Sequence, residues 1–229
     1  LAALAQTGVN PGEAPTAPRV YSPYVARTAR DASFAEGLFW GDTHLHTSYS
    51  TDAGMIGNRR GPEVAYRFAR GEEVVTSSGQ RARLIRPRDF LVVADHAEIL
   101  GLAPMIAESN PDLLNIPWGK EMHDLVKAGK GYDAFIKWGN EGVAENTDNL
   151  NSPKIQRTVW ERLIAFAEEY NEPGRFTALI GFEWTSINNI ERPSNLHRVV
   201  IFKDDGEKAR QILPFSTFDS PDPEDLWKF

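Results

Sequence analysis

The chain contains no cysteine. Disulfides and thiolate metal sites are thereby excluded, so side-chain metal ligands are limited to His, Asp and Glu, with backbone oxygens beside them. Long apolar runs are missing too. None approaches the ~18 residues of a membrane-spanning helix, and no membrane span is predicted. Positive charge is also short. The net charge is -7 and the pI about 5.3, and the only local basic run is Arg81, Arg83, Arg86 and Arg88. This argues against a nucleic-acid partner, whose phosphates call for a basic stripe. What remains is the profile of a globular protein of one large domain or two small ones. Histidine is scarce, with 5 in 229 residues, which makes its placement informative.

Two histidines stand in Gly41-Asp42-Thr43-His44-Leu45-His46-Thr47-Ser48-Tyr49-Ser50-Thr51-Asp52, after the apolar Leu38-Phe39-Trp40. Side chains two apart on a strand point the same way. His44 and His46 are therefore expected on one face of one strand, close enough to share an ion, with Asp42 on that face upstream. Neutral imidazole is the commonest metal ligand, and carboxylates complete sites for hard or borderline divalent ions.

Taken in order, residues 1–37 read as an N-terminal arm rich in Gly, Pro, Ala and Thr, tacked down by Tyr21, Tyr24 and Phe34. Its start, Leu1-Ala2-Ala3-Leu4-Ala5-Gln6, reads like the end of a signal-peptide apolar region with Ala3-Leu4-Ala5 as the cleavage site. The expected address is periplasmic or secreted, and otherwise cytoplasmic. A strand at 38–44 is followed by a loop over 53–60 containing Gly54, Gly57 and Asn58. A helix over 61–71 starts with Pro62 in its first turn and ends at Gly71. The runs 73–76 and 81–85 flank Ser77-Ser78-Gly79-Gln80 and predict a hairpin. Asp89-Phe90-Leu91-Val92-Val93-Ala94 is apolar on both faces, as in a buried parallel sheet. Residues 97–171 are mostly helical, in pieces at 98–108, 112–128, 132–145 and 153–170. This is more than one crossover needs, so 101–150 is read as an inserted helical cap over the site. In the last piece Ser152 caps and Ile155, Val159, Leu163, Phe166 and Ala167 form an apolar stripe. Strands follow at 176–182 and 196–202. The chain stops inside a helix opened by Ser220-Pro221-Asp222-Pro223-Glu224, so further polypeptide beyond Phe229 is expected.

Strand ends thus present His44 and His46, Asp95-His96, and Glu183, and a further strand opens with His197. Functional residues of parallel α/β proteins gather at the C-terminal ends of strands. Hydroxyls and acids near His44, His46 and His96 suit hydrogen bonds to imidazole. His123, flanked by Met122 and Asp124 within a helix, is read as an ordinary helix histidine. Glu183 has a competing structural reading, capping a helix or pairing with Arg198, but Trp184 beside it offers an apolar pocket wall and favours a ligand role.

The segments Trp40-Gly41-Asp42-Thr43-His44-Leu45-His46-Thr47 with Asp52, Val93-Ala94-Asp95-His96, Gly181-Phe182-Glu183-Trp184-Thr185 and Leu196-His197-Arg198 resemble the successive motifs of the PHP (polymerase and histidinol phosphatase) superfamily. They are closer still to a set of large bacterial PHP-like proteins whose shared domain has no assigned function. The resemblance runs over residues 38–202. It implies an α/β fold, a distorted (β/α)7 barrel of which 38–229 is the N-terminal part, with two or three divalent ions (Zn, Mn or Fe) at its C-terminal mouth. By that resemblance His44 and His46 bind a first ion, Glu183 bridges it to a second, His197 binds the second, and His96 with Asp52 binds a third. Asp95 is then a weak ligand or supports one. The family completes its site with a further His and a late Asp-x-His. No histidine follows His197, so the missing ligands are expected beyond Phe229.

Such a cluster clamps the oxygens of a phosphoryl group and makes hydroxide from water at neutral pH. The expected function is hydrolysis of a small-molecule phosphate, sulfate or phosphonate ester, with Asp95 or Asp52 orienting the water. Arg59, Arg60, Arg192 and Arg198 are candidates to receive the substrate anion. The alternative is a non-catalytic binding module whose site is degraded or whose metal stabilises the fold. A nucleic-acid enzyme, as where such domains accompany polymerases, is disfavoured by the acidic balance.

Overall fold

A computed structural model describes residues 38–141, 153–188 and 194–229 of the chain. The N-terminal arm, Ser152, Arg192 and residues 142–150 of the expected cap lie outside the described residues.

The chain enters through β1 (Gly41–Leu45) and turns into α1 (Thr51–Ile56), where the two glycines predicted a loop. Packing explains Gly54. A Cβ there would come within 2.5 Å of the Ser48 carbonyl oxygen and 2.6 Å of the Ala103 methyl. α2 (Pro62–Ala69) forms as expected, with Pro62 in the first turn and Tyr66 and Ala69 buried. Gly71 follows it at φ +82°, a left-handed conformation suited to ending a helix. The excursion β2 (Val74–Val75) and β3 (Arg81–Ala82) pairs antiparallel, shorter than the sequence predicts. Next comes β4 (Phe90–Val93), with Leu91, Val92 and Val93 all buried.

The region read as a cap is helical where it is described: α3 (Leu102–Glu108), α4 (Pro111–Leu114), α5 (Pro117–Lys127) and α6 (Gly131–Glu141). Met55 of α1 joins Ile106, Leu113, Met122, Ala134 and Trp138 in an apolar cluster of its own. α7 (Pro153–Tyr170) then leads to β5 (Thr177–Asn188) and β6 (Ser194–Ile201), both reaching further into the ligand region than the predicted strands. Short α8 (Gly206–Ala209) and α9 (Pro223–Lys228) complete the chain, the latter capped by Asp222, whose carboxylate accepts from the Glu224 N–H.

The fold is mixed α/β, with a four-stranded sheet curled into a half-barrel in the order β1-β4-β5-β6. β1 pairs parallel with β4 and β4 parallel with β5, but β6 returns antiparallel to β5. A complete (β/α)7 barrel is not seen among the described residues. The connection 189–193 is too short for the crossover that a parallel strand requires. The antiparallel return matters for the site. It puts the start of β6 at the same end of the sheet as the finishes of β1, β4 and β5.

Alternation then sorts the faces. Leu45, Leu91, Val93, Ala178, Ile180, Phe182 and Trp184 turn toward α2 and α7, where they meet Tyr66, Trp160, Leu163 and Ile164. Val92, Ala94 and Leu179 turn the other way, into a small inner cluster touched by Val199 and Ile201. His44, His96, Glu183 and His197 share the inner parity of their strands, and His46 follows β1 in the same alternation.

Candidate metal centre

Glu183 is the hub. Its side chain is completely buried on the inner face of β5, and imidazoles approach it from three other segments. Oε2 stands 3.2 Å from His44 Nε2, 2.7 Å from His46 Nε2 and 3.5 Å from His96 Nε2. The other oxygen, Oε1, contacts His197 Nδ1. The antiparallel register explains this last contact: Thr185 lies directly opposite His197 and Glu183 opposite Val199, so Glu183 is diagonal to His197 on one face. The four rings surround the carboxylate, with centroid steps of 5.0 Å from His44 to His46, 4.9 Å to His96, 6.2 Å to His197 and 6.4 Å back to His44.

Two buried atoms test whether this arrangement fits a metal. His46 Nε2 and Glu183 Oε2 face each other at 2.7 Å as a close pair, without the geometry of a hydrogen bond. A buried polar atom without a well-formed hydrogen bond is costly, and here two converge with further imidazole nitrogens around them. Ligand atoms on one tetrahedral zinc, each at about 2.1 Å, stand about 3.4 Å apart. The 3.2 and 3.5 Å separations match that spacing, and 2.7 Å is somewhat short of it. Among the described residues two ligand sets have all their donor atoms within 4.8 Å of one another: His44, His46 and Glu183, and His46, Asp52 and His96. The donor set fits a borderline divalent ion.

Asp52 comes from the first turn of α1. Its Oδ2 lies 2.8 Å from His46 Nδ1 and 3.7 Å from His96 Nε2. It therefore orients His46 while facing His96. The N-cap residue Ser50 makes no capping bond to α1. Instead its hydroxyl accepts from the His96 N–H at 3.2 Å. Burial lowers the His46 imidazole, but its contacts with Asp52 and Glu183 outweigh this and push it up to about 10. Burial likewise raises Glu183, but His46 and its neighbours overcome this and hold it at about 2. Asp52 is held below the usual carboxylate range by His46 and His96 against the effect of burial. His46 is thus held protonated between two carboxylates, and an ion entering the centre has to displace its proton.

Other expected site residues are placed differently. Asp95 is fully buried, and both its oxygens accept from Thr47, at 2.6 Å from the backbone N–H and 2.7 Å from the hydroxyl. It anchors the turn after β1 through these bonds. Burial pushes its carboxyl up to about 6 despite those bonds. Asp42 accepts from the His44 N–H at 2.9 Å and does not join the ligand sets. Arg59 donates to the Gly54 carbonyl at 2.8 Å, Arg60 to that of Thr76 at 2.9 Å, and Arg198 to that of His197 at 2.7 Å. These guanidinium groups brace loops and strands, and none contacts the ring of imidazoles. Arg192 lies outside the described residues. His123, read as a helix histidine, sits in α5 between Ser109 and Asp124.

Two residues near the centre escaped the sequence reading. Glu98 is completely buried, with Oε2 3.1 Å from His96 Nδ1. The helix predicted from Glu98 starts only at Leu102. Ile99 at φ +51° and Gly101 at φ +111° form a turn there that directs Glu98 inward. The signal available was an acid inside the apolar stretch Ala97-Glu98-Ile99-Leu100, where an exposed charge would be out of place. Trp138, from α6, puts its ring 6.0 Å from that of His96.

No curated protein and no solved structure matches the chain. Residues 33–229, covering all of the sheet and both ligand sets, match the family described as "Protein of unknown function (DUF3604)". The chain belongs to DUF3604.

Proposed function

We propose that the protein is a metal-dependent hydrolase of phosphate or related esters, working at a centre of two or three divalent ions (Zn, Mn or Fe). The observation that carries this reading is the buried Glu183 carboxylate encircled by His44, His46, His96 and His197, with Nε2 of His46 and Oε2 of Glu183 in close contact but in no well-formed hydrogen bond. In this reading His44, His46, His96, His197, Glu183 and Asp52 hold the ions. When bound, such ions polarise an ester oxygen and lower the pKa of water. Asp52 keeps the His46 ring in register through Nδ1, and the Trp138 ring lies 6.0 Å from that of His96. Among the described residues Arg59, Arg60 and Arg198 bond backbone carbonyls and not the ligand ring, so in this reading the ions themselves supply charge to receive an anionic substrate. The half-barrel, with parallel β1, β4 and β5 delivering ligands from their C-terminal ends, is read as part of a distorted (β/α)7 barrel of the PHP type.

A second reading is a binding module in which the metal is structural. It is favoured by the origin of the ligands on or just after four different strands, since an ion there cross-links the open end of the sheet. Elemental analysis of the purified protein and of His46→Ala, beside hydrolysis of an aryl phosphate, an aryl sulfate and an aryl phosphonate, tests the proposal. Bound metal and ester turnover in the wild type, both lost in His46→Ala, are expected. Equal metal loads in the two proteins would sink it. Metal without turnover, with a large fall in melting temperature on chelation, selects the structural reading.

A further inference from the structure

The geometry points to Glu98 as the positioning residue of the centre: its carboxylate fixes the His96 ring so that the metal-facing nitrogen presents a lone pair. This deepens the metal-centre reading and rests on it.

The two oxygens of Glu98 have separate tasks. Oε1 accepts from the Thr185 N–H at 3.0 Å and the Thr217 N–H at 3.2 Å. Oε2 faces His96 Nδ1 at 3.1 Å. The acceptors of Glu98 are thus occupied by β5, by the segment before α9, and by His96, all within a buried environment. An ionised carboxylate has no proton to donate. Facing it, Nδ1 of His96 carries the ring proton, and Nε2 is left as an acceptor. Nε2 is the atom turned toward Glu183 Oε2 at 3.5 Å and Asp52 Oδ2 at 3.7 Å. A ligating imidazole typically donates its other N–H to a carboxylate, which fixes both ring orientation and tautomer. The Thr185 hydroxyl also approaches His96 Nδ1, at 3.1 Å, but it is equally close to His197 Nδ1. A hydroxyl can donate or accept, so it does not select a tautomer. Glu98 does.

Glu98→Gln is a sharp test because it preserves shape and reverses the instruction. The amide oxygen can still accept from the Thr185 and Thr217 N–H groups. Its NH2 then faces His96 Nδ1 as a donor, moving the ring proton to Nε2, where an ion binds. Zinc affinity of the full chain, measured by chelator competition for wild type, Glu98→Gln, His96→Ala and the double variant, gives the answer. Glu98→Gln is expected to bind about 10–100-fold more weakly. The double variant is expected to be little worse than His96→Ala, since Glu98 acts through that ring. Additive losses, or wild-type affinity in Glu98→Gln, would overturn the assignment while leaving the metal centre standing. No zinc uptake by the wild type would instead overturn the metal-centre reading itself, and the role of Glu98 with it. Should Glu98→Gln fail to fold, the long-range 1H–15N spectrum of the wild-type zinc complex decides. The His96 proton is expected on Nδ1, and a proton on Nε2 rejects the proposal.

Discussion

The two faces of the sheet treat burial in opposite ways. Toward α7, Trp160, Leu163 and Ile164 meet Leu91, Ile180 and Phe182, with Trp160 and Phe182 edge to face at 6.0 Å. Each such side chain removed from water contributes roughly 1.5–3 kcal/mol. The Trp160 indole N–H, the polar atom that burial would strand, donates to the Ala209 carbonyl at 3.0 Å. The inner face starts with Val92, Ala94 and Leu179, then gives way at the strand ends to Glu183, His96 and their partners. Burying charge there is costly, and pairing only partly offsets it. One face stabilises the fold; the other carries polar groups that packing alone does not call for.

This contrast can be broken by experiment, most strongly on the apolar side. Trp160→Ala is expected to lower unfolding stability by about 3–5 kcal/mol while the folded fraction keeps its metal. Urea denaturation and metal analysis check both halves, and a loss under about 1 kcal/mol would show that the α7 face is not the main stabiliser. The inner face should respond to protons instead. With His46 held up to about 10 in the metal-free protein, zinc binding near neutral pH releases at least one proton. Affinity is then expected to rise about tenfold, about 1.4 kcal/mol, per pH unit. Calorimetry in buffers of different ionisation enthalpy counts the protons, and pH-independent affinity would contradict a protonated His46.

A smaller effect sharpens the same point. In chelator, wild type should be more stable than His46→Ala because the raised imidazole is charged and paired. That advantage is complete below about 6.5 and fades as pH rises through about 10. Asp52 and Glu183, held low, behave oppositely: their contribution is present above the ordinary carboxylate range and is lost on acidification. Thermal melts across pH follow both, and an advantage that grows with alkalinity would refute the His46 part.

What the sequence made legible followed from periodicity. His44-Leu45-His46 declares a shared face because strand side chains alternate, and Asp95-His96 and Glu183 declare themselves as strand ends after apolar runs. Direction was not legible. Leu196 to Phe202 reads the same whether its strand runs parallel or antiparallel, so the route that brings His197 to Glu183 emerged only with the β5–β6 register. Arginine roles were hidden for another reason. Arg59 and Arg60 follow Asn58 in a loop whose carbonyls need donors, and a residue list does not show which carbonyls a fold leaves unpaired. α1 was missed because Gly54 reads as a breaker until Ser48 and Ala103 are seen pressing on it.

The antiparallel return of β6 also bears on the order in which the protein assembles. Glu183 and His197 meet across a hairpin, an element that forms in about 1–10 μs. His44 and His46 reach Glu183 only when β1 and β5 have both paired with β4, over long intervening stretches of chain whose closure is slow. Two of the six ligands can therefore meet early, as a Glu183–His197 pair on a nascent ribbon, while the other four wait for the parallel strands. In refolding started in the presence of metal, full ion capture should coincide with the last step of sheet formation, so that metal uptake reports on completion of the fold.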